Sequence, residues 1–308
     1  MIDSVLLIAF GGPTGPDEVR PFLDIVTRGR RIPAARLDEV AGHYFHLPGA
    51  RSPLNDLTNA QARALARALE ATGPPLPVFV GMRNWHPFLH ETLAEMSARG
   101  ARRALGVILS AFRTEASWDR YQADVAAARA RTPGAPDVAF APPWFDHPRF
   151  IAAVADRTRA ALAAIPADRR RWTPLVFTAH SIPVAMADAS PYVSDLTTAA
   201  REVVARLGHA RFSIAYQSRS GSPADPWLEP DIRDVLRMLA TDGERAVVVV
   251  PIGFVCDHVE VLHDLDVEAH DVASTLGLAF HRATAVNDHP EFIAMLADLV
   301  TRARAAAA

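Results

Sequence analysis

Short, wholly apolar runs alternate along this chain with longer stretches in which apolar residues recur every three or four positions. Ser4–Phe10 (SVLLIAF), Val78–Met82, Ala104–Ser110, Leu175–Thr178 and Ala246–Ile252 (AVVVVPI) are of the first kind. Their length and β-branched content predict strands buried on both faces, as in a parallel sheet. The periodic stretches predict helices over Ala34–Phe45, Asn59–Glu70, Pro87–Arg99, Ser117–Arg131, Pro148–Ala164 and Pro290–Arg304. A further helix is predicted to carry Val19, Phe22, Leu23 and Val26, with Asp17 as its N-cap.

The pattern repeats. VLLIAFGGP, from Val5, echoes LVFTAHSIP, from Leu175, and the stretch from Val78 to Phe112 echoes that from Ile214 to Phe254. One strand ends in Met82-Arg83 and its counterpart in Ser218-Arg219. The expected fold is therefore α/β, with two similar doubly wound Rossmann-like domains, parallel sheets and a cleft between them. Residues 1–143 form the first domain and 144–289 the second, joined at the Pro/Ala-rich segment Pro133–Pro143; the helix within 290–308 is expected to fold back on the first.

Composition removes several kinds of chemistry. All 32 basic residues of the 308 are arginine, so no lysine is present to serve as a Walker residue, a Schiff-base partner or a nucleophile. Cys256 is the single cysteine, which excludes an internal disulfide, a zinc knuckle and a four-cysteine iron–sulfur cluster. A net charge of −3 argues against nucleic acid and anionic membranes as partners. No apolar run approaches the roughly 18 residues of a spanning helix, and MIDSVLLIAF lacks the basic start of a signal peptide. A cytoplasmic protein without stable membrane insertion is expected.

The candidate chemistry lies at two strand ends. His180 follows the Leu175 strand, and ligands of open α/β sheets bind just past the C-terminal strand ends. A histidine there is commonly satisfied by a backbone carbonyl. A matching acid, Glu260, follows the Ala246 strand 80 positions on. Glu260 is expected to start a helix, on which Glu260, Asp264 and Glu268, spaced i, i+4 and i+8, stack along one face. That face is either a solvated acidic surface or a ladder passing cations inward or protons outward. Imidazole and carboxylate together suit a first-row divalent metal. Arg28, Arg30, Arg31, Arg51 and Ser52 fall in loops expected at the rim, where guanidinium groups hold carboxylates bidentately. Phe10, Phe112, Trp118 and Tyr121 are expected as an apolar wall. His180-Ser181 is no hydrolase pair, because sequence neighbours cannot face each other as nucleophile and base, and there is no G-x-S-x-G elbow, H-E-x-x-H or G-x-G-x-x-G fingerprint.

At these residues the chain resembles the ferrochelatases, enzymes that insert Fe²⁺ into a porphyrin in haem synthesis. The resemblance runs from about Val5 to Leu299. It is carried by Phe10-Gly11-Gly12-Pro13, Gly81-Met82-Arg83-Asn84-Trp85, Phe177-Thr178-Ala179-His180-Ser181-Ile182-Pro183, Tyr216-Gln217-Ser218-Arg219 and Pro251–Asp266. It implies the same bilobal α/β fold. It also implies that His180 and Glu260 are the catalytic, metal-handling pair and that Asp264 and Glu268 form an acidic face for incoming metal. Phe10, Arg28, Arg30, Ser52 and Tyr121 then contact the porphyrin. Two segments depart from the family pattern: Ser110–Tyr121 carries Arg113, Glu115 and Trp118 where a Ser/Tyr-rich loop is usual, and Leu47–Ser52 lacks the usual double glycine. The several cysteines of relatives with an iron–sulfur cluster are missing. So are the apolar lip and C-terminal extension of membrane-associated members, which favours coproporphyrin III over protoporphyrin IX.

The expected function is thus a ferrochelatase, a lyase forming nitrogen–metal bonds, with porphyrin and Fe²⁺ as substrates and no permanently bound cofactor. The alternatives are a cobalt or nickel chelatase of a related tetrapyrrole and a non-catalytic tetrapyrrole or metal carrier. Nothing in the sequence specifies a haem-accepting partner.

Overall fold

The computed structural model describes residues 1–29, 32–220 and 225–306. The chain divides into two units, one of Met1–Leu109, Trp118–Pro142 and Ile293–Ala308, the other of Ser110–Ser117 and Pro143–Phe292. Ser110–Ser117, placed in the first domain by the sequence reading, is thus counted with the second unit.

The first unit is built on β1 (Ser4–Ala9), β2 (Val78–Met82), β3 (Arg103–Ile108) and β4 (Asp137–Phe140). They form one parallel sheet in the order β2-β1-β3-β4. Around it run α1 (Val19–Val26), α2 (Ala34–Phe45), α3 (Leu54–Glu70), α4 (Leu89–Ala98) and α5 (Arg120–Ala130). Every residue of β1 is buried, with Val5, Leu6, Leu7 and Ile8 fully enclosed, as a central parallel strand covered on both faces requires. Asp17 does not cap α1. It lies inside a 3₁₀ turn, Pro16–Glu18, that precedes the helix, and it makes no capping hydrogen bond. Pro16 explains this, since its fixed φ starts a helical turn one step early.

The second unit begins with α6 (Pro148–Leu162) and the short α7 (Ala167–Arg170) before β5 (Leu175–His180). There follow α8 (Val184–Asp188), α9 (Tyr192–Leu207), β6 (Phe212–Gln217), α10 (Ile232–Thr241) and β7 (Ala246–Val250). After β7 come α11 (Val259–His263), a π-helical turn Asp264–Ala269, α12 (His270–Thr275) and β8 (Ala279–Arg282). The last helix, α13 (Pro290–Ala306), starts in this unit and is counted with the first from Ile293 on. The sheet order is β6-β5-β7-β8, all parallel, so both sheets share one winding. Val176, Val247, Val249, Leu236, Val261 and Leu265 belong to the core between this sheet and the helices after β6 and β7.

In both sheets the chain reverses its winding between the two central strands. Ligands of open α/β sheets bind at such a switch point, beyond the strands' C-terminal ends. In the second unit the switch lies between β5, which ends on His180, and β7, whose following segment carries Glu260.

Candidate active site

His180 and Glu260 converge. The imidazole Nε2 stands 4.0 Å from Glu260 Oε1, both side chains partly open to solvent. That is too long for a hydrogen bond and close enough for the carboxylate to stabilise a positive charge formed on the ring. Each is held from behind. His180 Nδ1 faces the Ser181 carbonyl, the backbone partner commonly found for a strand-end histidine. A carbonyl can only accept, so Nδ1 carries the proton and the Nε2 lone pair points out, toward the carboxylate. The His180 carbonyl accepts from the Tyr192 hydroxyl at 2.8 Å, and burial pushes that phenol's pKa far up, keeping it a donor.

Glu260 is fixed through its backbone. Its N–H donates to His258 Nδ1 at 3.2 Å, the N-cap bond of α11, and its carbonyl accepts from Gln217 Nε2 at 2.9 Å. Gln217 ends β6 in register with His180 on β5, so one pair of strand ends positions both His180 and Glu260. Burial pulls the His258 pKa down, against the opposing pull of Glu260, Asp264 and Asp257. Its Nδ1 lone pair therefore stays available to cap the helix.

The three acids do not form a free ladder on one face. The α-helix stops at His263 and a π turn takes over from Asp264, so i, i+4 stacking does not continue. Asp264 accepts from the Ser218 hydroxyl, and its carboxylate lies 3.5 Å from His263 Nδ1. Glu268 lies 3.8 Å from the same nitrogen and pairs with Arg233 at 3.3 Å. Arg233 also grips Asp231, whose hydrogen bonds, with the nearby acids, raise its pKa against the effect of burial. The neighbouring Asp266 is taken up by Arg282, which also binds Asp257 at 2.7 Å.

The residues expected at the porphyrin behave differently from one another. Phe10 lies half-exposed just past β1, edge-on to Phe22 of α1 at 6.3 Å. Arg28 is exposed beyond the end of α1. Arg30 and Arg31 lie outside the described residues. Arg51 is paired with Asp56. Ser52 is buried under the turn that follows β1, where a Cβ on Gly12 would come within 2.7 Å of the serine side chain. Asn55 closes the same turn by bonding Gly12 N–H and C=O at 3.0 and 2.9 Å. Tyr121 is buried beneath the Arg83 guanidinium, 5.4 Å from its ring centre, and Arg83 pairs with Asp124. Phe112 and Trp118 are buried rather than open walls; Phe112 belongs to the second unit and meets Tyr192 edge-on at 6.0 Å.

Four contributors escaped the sequence reading: Tyr192, Gln217, Ser218 and His258. His258 left a signal, standing two residues before Glu260 at the start of a predicted helix, where a side-chain acceptor is favoured, and Gln217 and Ser218 lie in a motif that carries the resemblance. Their contacts, and that of Tyr192 with the end of β5, depend on the tertiary fold.

Comparison with known proteins bears on this site. The ferrochelatase family model matches residues 3–304. A protein of Nocardia farcinica named coproporphyrin III ferrochelatase is 46% identical over 308 residues, covering 97% of this chain and 87% of its own. A protein of the same name from Mycobacteroides abscessus is 45% identical over 306 residues, covering 98% and 88%. A solved structure of SirB from Bacillus subtilis with Fe³⁺ superposes with a TM-score of 0.60 at 12% identity, covering 98% of this chain and 95% of that one. Its low identity makes it a likeness of fold, and it agrees with the two parallel sheets described above. The extent of the family match and the identity of the relatives establish that the chain belongs to the ferrochelatase family.

Proposed function

We propose that this protein inserts Fe²⁺ into coproporphyrin III, releasing two protons. The observation that carries the reading is the 4.0 Å approach of His180 Nε2 and Glu260 at the switch point of the second sheet. The names of the relatives supply the substrate class.

Metal insertion replaces two pyrrole N–H bonds with nitrogen–iron bonds, so the site must take two protons from a ring that holds them in its plane. Binding the macrocycle bent exposes a pyrrole N–H and its lone pair, strain offset by contacts remote from the reacting nitrogens. His180 Nε2 accepts one proton; its tautomer is already set by the Ser181 carbonyl. Glu260 accepts the second or guides the incoming cation, and its charge stabilises the imidazolium formed at His180. Asp264 and Glu268 are offered as outlying acids of the cation's path. Phe10, Arg28, Arg30, Ser52 and Tyr121 are offered as the first unit's contribution to porphyrin binding. Among the described residues of this set Phe10 and Arg28 are exposed for direct contact, whereas Ser52 and Tyr121 are buried.

The test is anaerobic Fe²⁺ with coproporphyrin III or protoporphyrin IX, followed by absorbance. Faster metallation of coproporphyrin III is expected. His180→Ala should lose turnover with an unchanged circular dichroism spectrum; near-normal turnover in that variant ends the assignment. Preference for Co²⁺ or Ni²⁺ in competition would make the protein a different chelatase, and porphyrin binding without proton release or metallation would make it a carrier. The cytoplasmic setting is part of the same proposal and is checked by cell fractionation.

A further inference from the structure

Ser110–Ser117 belongs to one of the two stretches that depart from the family pattern, and its contacts lie within the second unit. The loop closes on itself: Ser117 Oγ donates to the Phe112 carbonyl at 3.0 Å and accepts from Thr114 N–H at 2.9 Å, while Ser117 N–H donates to Thr114 Oγ1 at 3.0 Å. This fixed turn presents Phe112 and Arg113 to the first turn of α9. Arg113 binds Asp195 through two parallel hydrogen bonds, Nε to Oδ2 at 2.8 Å and a terminal nitrogen to Oδ1 at 2.9 Å. The Asp195 side chain is 4% exposed, and the guanidinium also lies over the Phe145 ring at 5.5 Å. Tyr192, three residues before Asp195, is its neighbour on the same helix face. It takes the Phe112 ring edge-on and gives its hydroxyl to the His180 carbonyl.

We propose that Arg113 is a positioning residue for His180, acting through Asp195 and the first turn of α9 on the Tyr192 hydroxyl that holds the end of β5. The inference rests on the role proposed above for His180. A bidentate guanidinium fixes the rotation of a planar carboxylate as well as neutralising it. Without the arginine, Asp195 is a buried, unpaired charge that must draw in water or move outward. Either response displaces the turn carrying Tyr192. The imidazole then samples positions that are wrong for proton transfer, while the surfaces that bind substrate are untouched.

The experiment is steady-state Fe²⁺ insertion by Arg113→Ala, Arg113→Lys, Tyr192→Phe and the Arg113→Ala/Tyr192→Phe double variant, with His180→Ala as control. Turnover is normalised to folded protein by near-ultraviolet circular dichroism. Arg113→Ala should lower kcat on the order of tenfold with KM for both substrates within about twofold. Arg113→Lys should recover part of the loss, because an ammonium restores the charge but not the fork. The effect of Arg113→Ala should shrink when Tyr192 is already phenylalanine, since coupled groups are not additive. Should Arg113→Ala not fold, the same cycle is run with Arg113→Lys. A wild-type kcat, a rise confined to KM for porphyrin, or strict additivity with Tyr192→Phe overturns the proposal. An inactive His180→Ala control alongside any of those results leaves the proposed function standing, whereas an active control removes it.

Discussion

Replacing Gly253 by alanine tests whether the geometry at the switch point controls turnover. Gly253 follows β7, and its N–H donates to the Thr178 carbonyl of β5 at 3.0 Å. A Cβ built there would lie 2.6 Å from both Cα and Cβ of Ala179 and 3.2 Å from the Thr178 oxygen. Carbon atoms in comfortable contact sit about 3.5–4.0 Å apart, so the shortfall is ~1 Å. The obstacle is main chain. Ala179 and His180 are held by β6 through the pairs Ala179↔Tyr216 and His180↔Gln217, so β5 has little room to retreat. The methyl must therefore push the segment after β7, which leads to Glu260, away from the strand that ends on His180. Overpacking of this kind costs about 1–3 kcal/mol. At roughly 2–4 °C per kcal/mol for chains of about this size or somewhat smaller, Tm should fall by ~2–12 °C. The catalytic loss should be larger than the stability loss implies, since a displacement of ~1 Å at a reacting pair can reduce rate on the order of 100-fold. Differential scanning calorimetry and anaerobic Fe²⁺ insertion read the two effects separately. A Gly253→Ala protein with wild-type Tm and kcat refutes the reasoning. So does a loss of Tm with unchanged kcat, which would show that the spacing of His180 and Glu260 is not what limits the reaction.

Gly42, inside α2 with no atom within 4 Å of its notional Cβ, is the contrasting site: Gly42→Ala should stabilise by about 0.5–1 kcal/mol with kcat unchanged in the same two assays. Arg282→Leu should destabilise by about 3–5 kcal/mol in urea titration, because it strands Asp257, 14% exposed, with Asp266 beside it. His209 donates from Nε2 to the Thr173 carbonyl, and burial, reinforced by Arg211, keeps its pKa below the ordinary histidine value despite that bond. Below about pH 6.5 the unfolded chain therefore binds a proton that the folded chain resists. Stability contributed here is complete above that pH and falls as pH drops toward the folded-state pKa, so His209→Asn should flatten the acid limb of the urea midpoint against pH.

The strands that sequence reveals and those it hides differ in burial. β1, β3, β5 and β7 are runs of apolar residues because their sheets are covered on both faces, and each was legible. β4 (DVAF) and β8 (AFHR) are four-residue edge strands with no fully buried position, so their pattern is that of a loop, and β4 lay inside the supposed joint. The meeting of His180 and Glu260 was legible because strand ends in a doubly wound sheet share one edge. The course of the helix after β7 was not, since nothing in DLDVEA marks a switch from α to π winding. Nor was the tie between Arg113 and Asp195, 82 positions apart, because a loop arginine reads the same whether it faces solvent or a buried carboxylate.

The acids after β7 show how tertiary partners sort residues that the sequence treats alike. Glu260, Asp264, Asp266 and Glu268 are equivalent by composition, and any of them is a plausible ligand for a divalent cation. Asp266 is neutralised by Arg282 and Glu268 faces Arg233, so a cation at either must compete with a guanidinium already in place. Asp264 is held by the Ser218 hydroxyl beside His263. Among the described residues neither Glu260 nor Asp264 has an arginine as its ion-pair neighbour: Glu260 faces the His180 imidazole at 4.0 Å, and Asp264 that of His263 at 3.5 Å. A carboxylate without a fixed cation keeps its full attraction for a metal, and an imidazole with its lone pair outward adds a second donor without adding charge. The arginines at Asp266 and Glu268 thus leave the uncompensated negative potential at Glu260 and Asp264. Under the proposed mechanism, a proton taken by His180 creates a charge that Glu260, 4.0 Å away, is placed to stabilise.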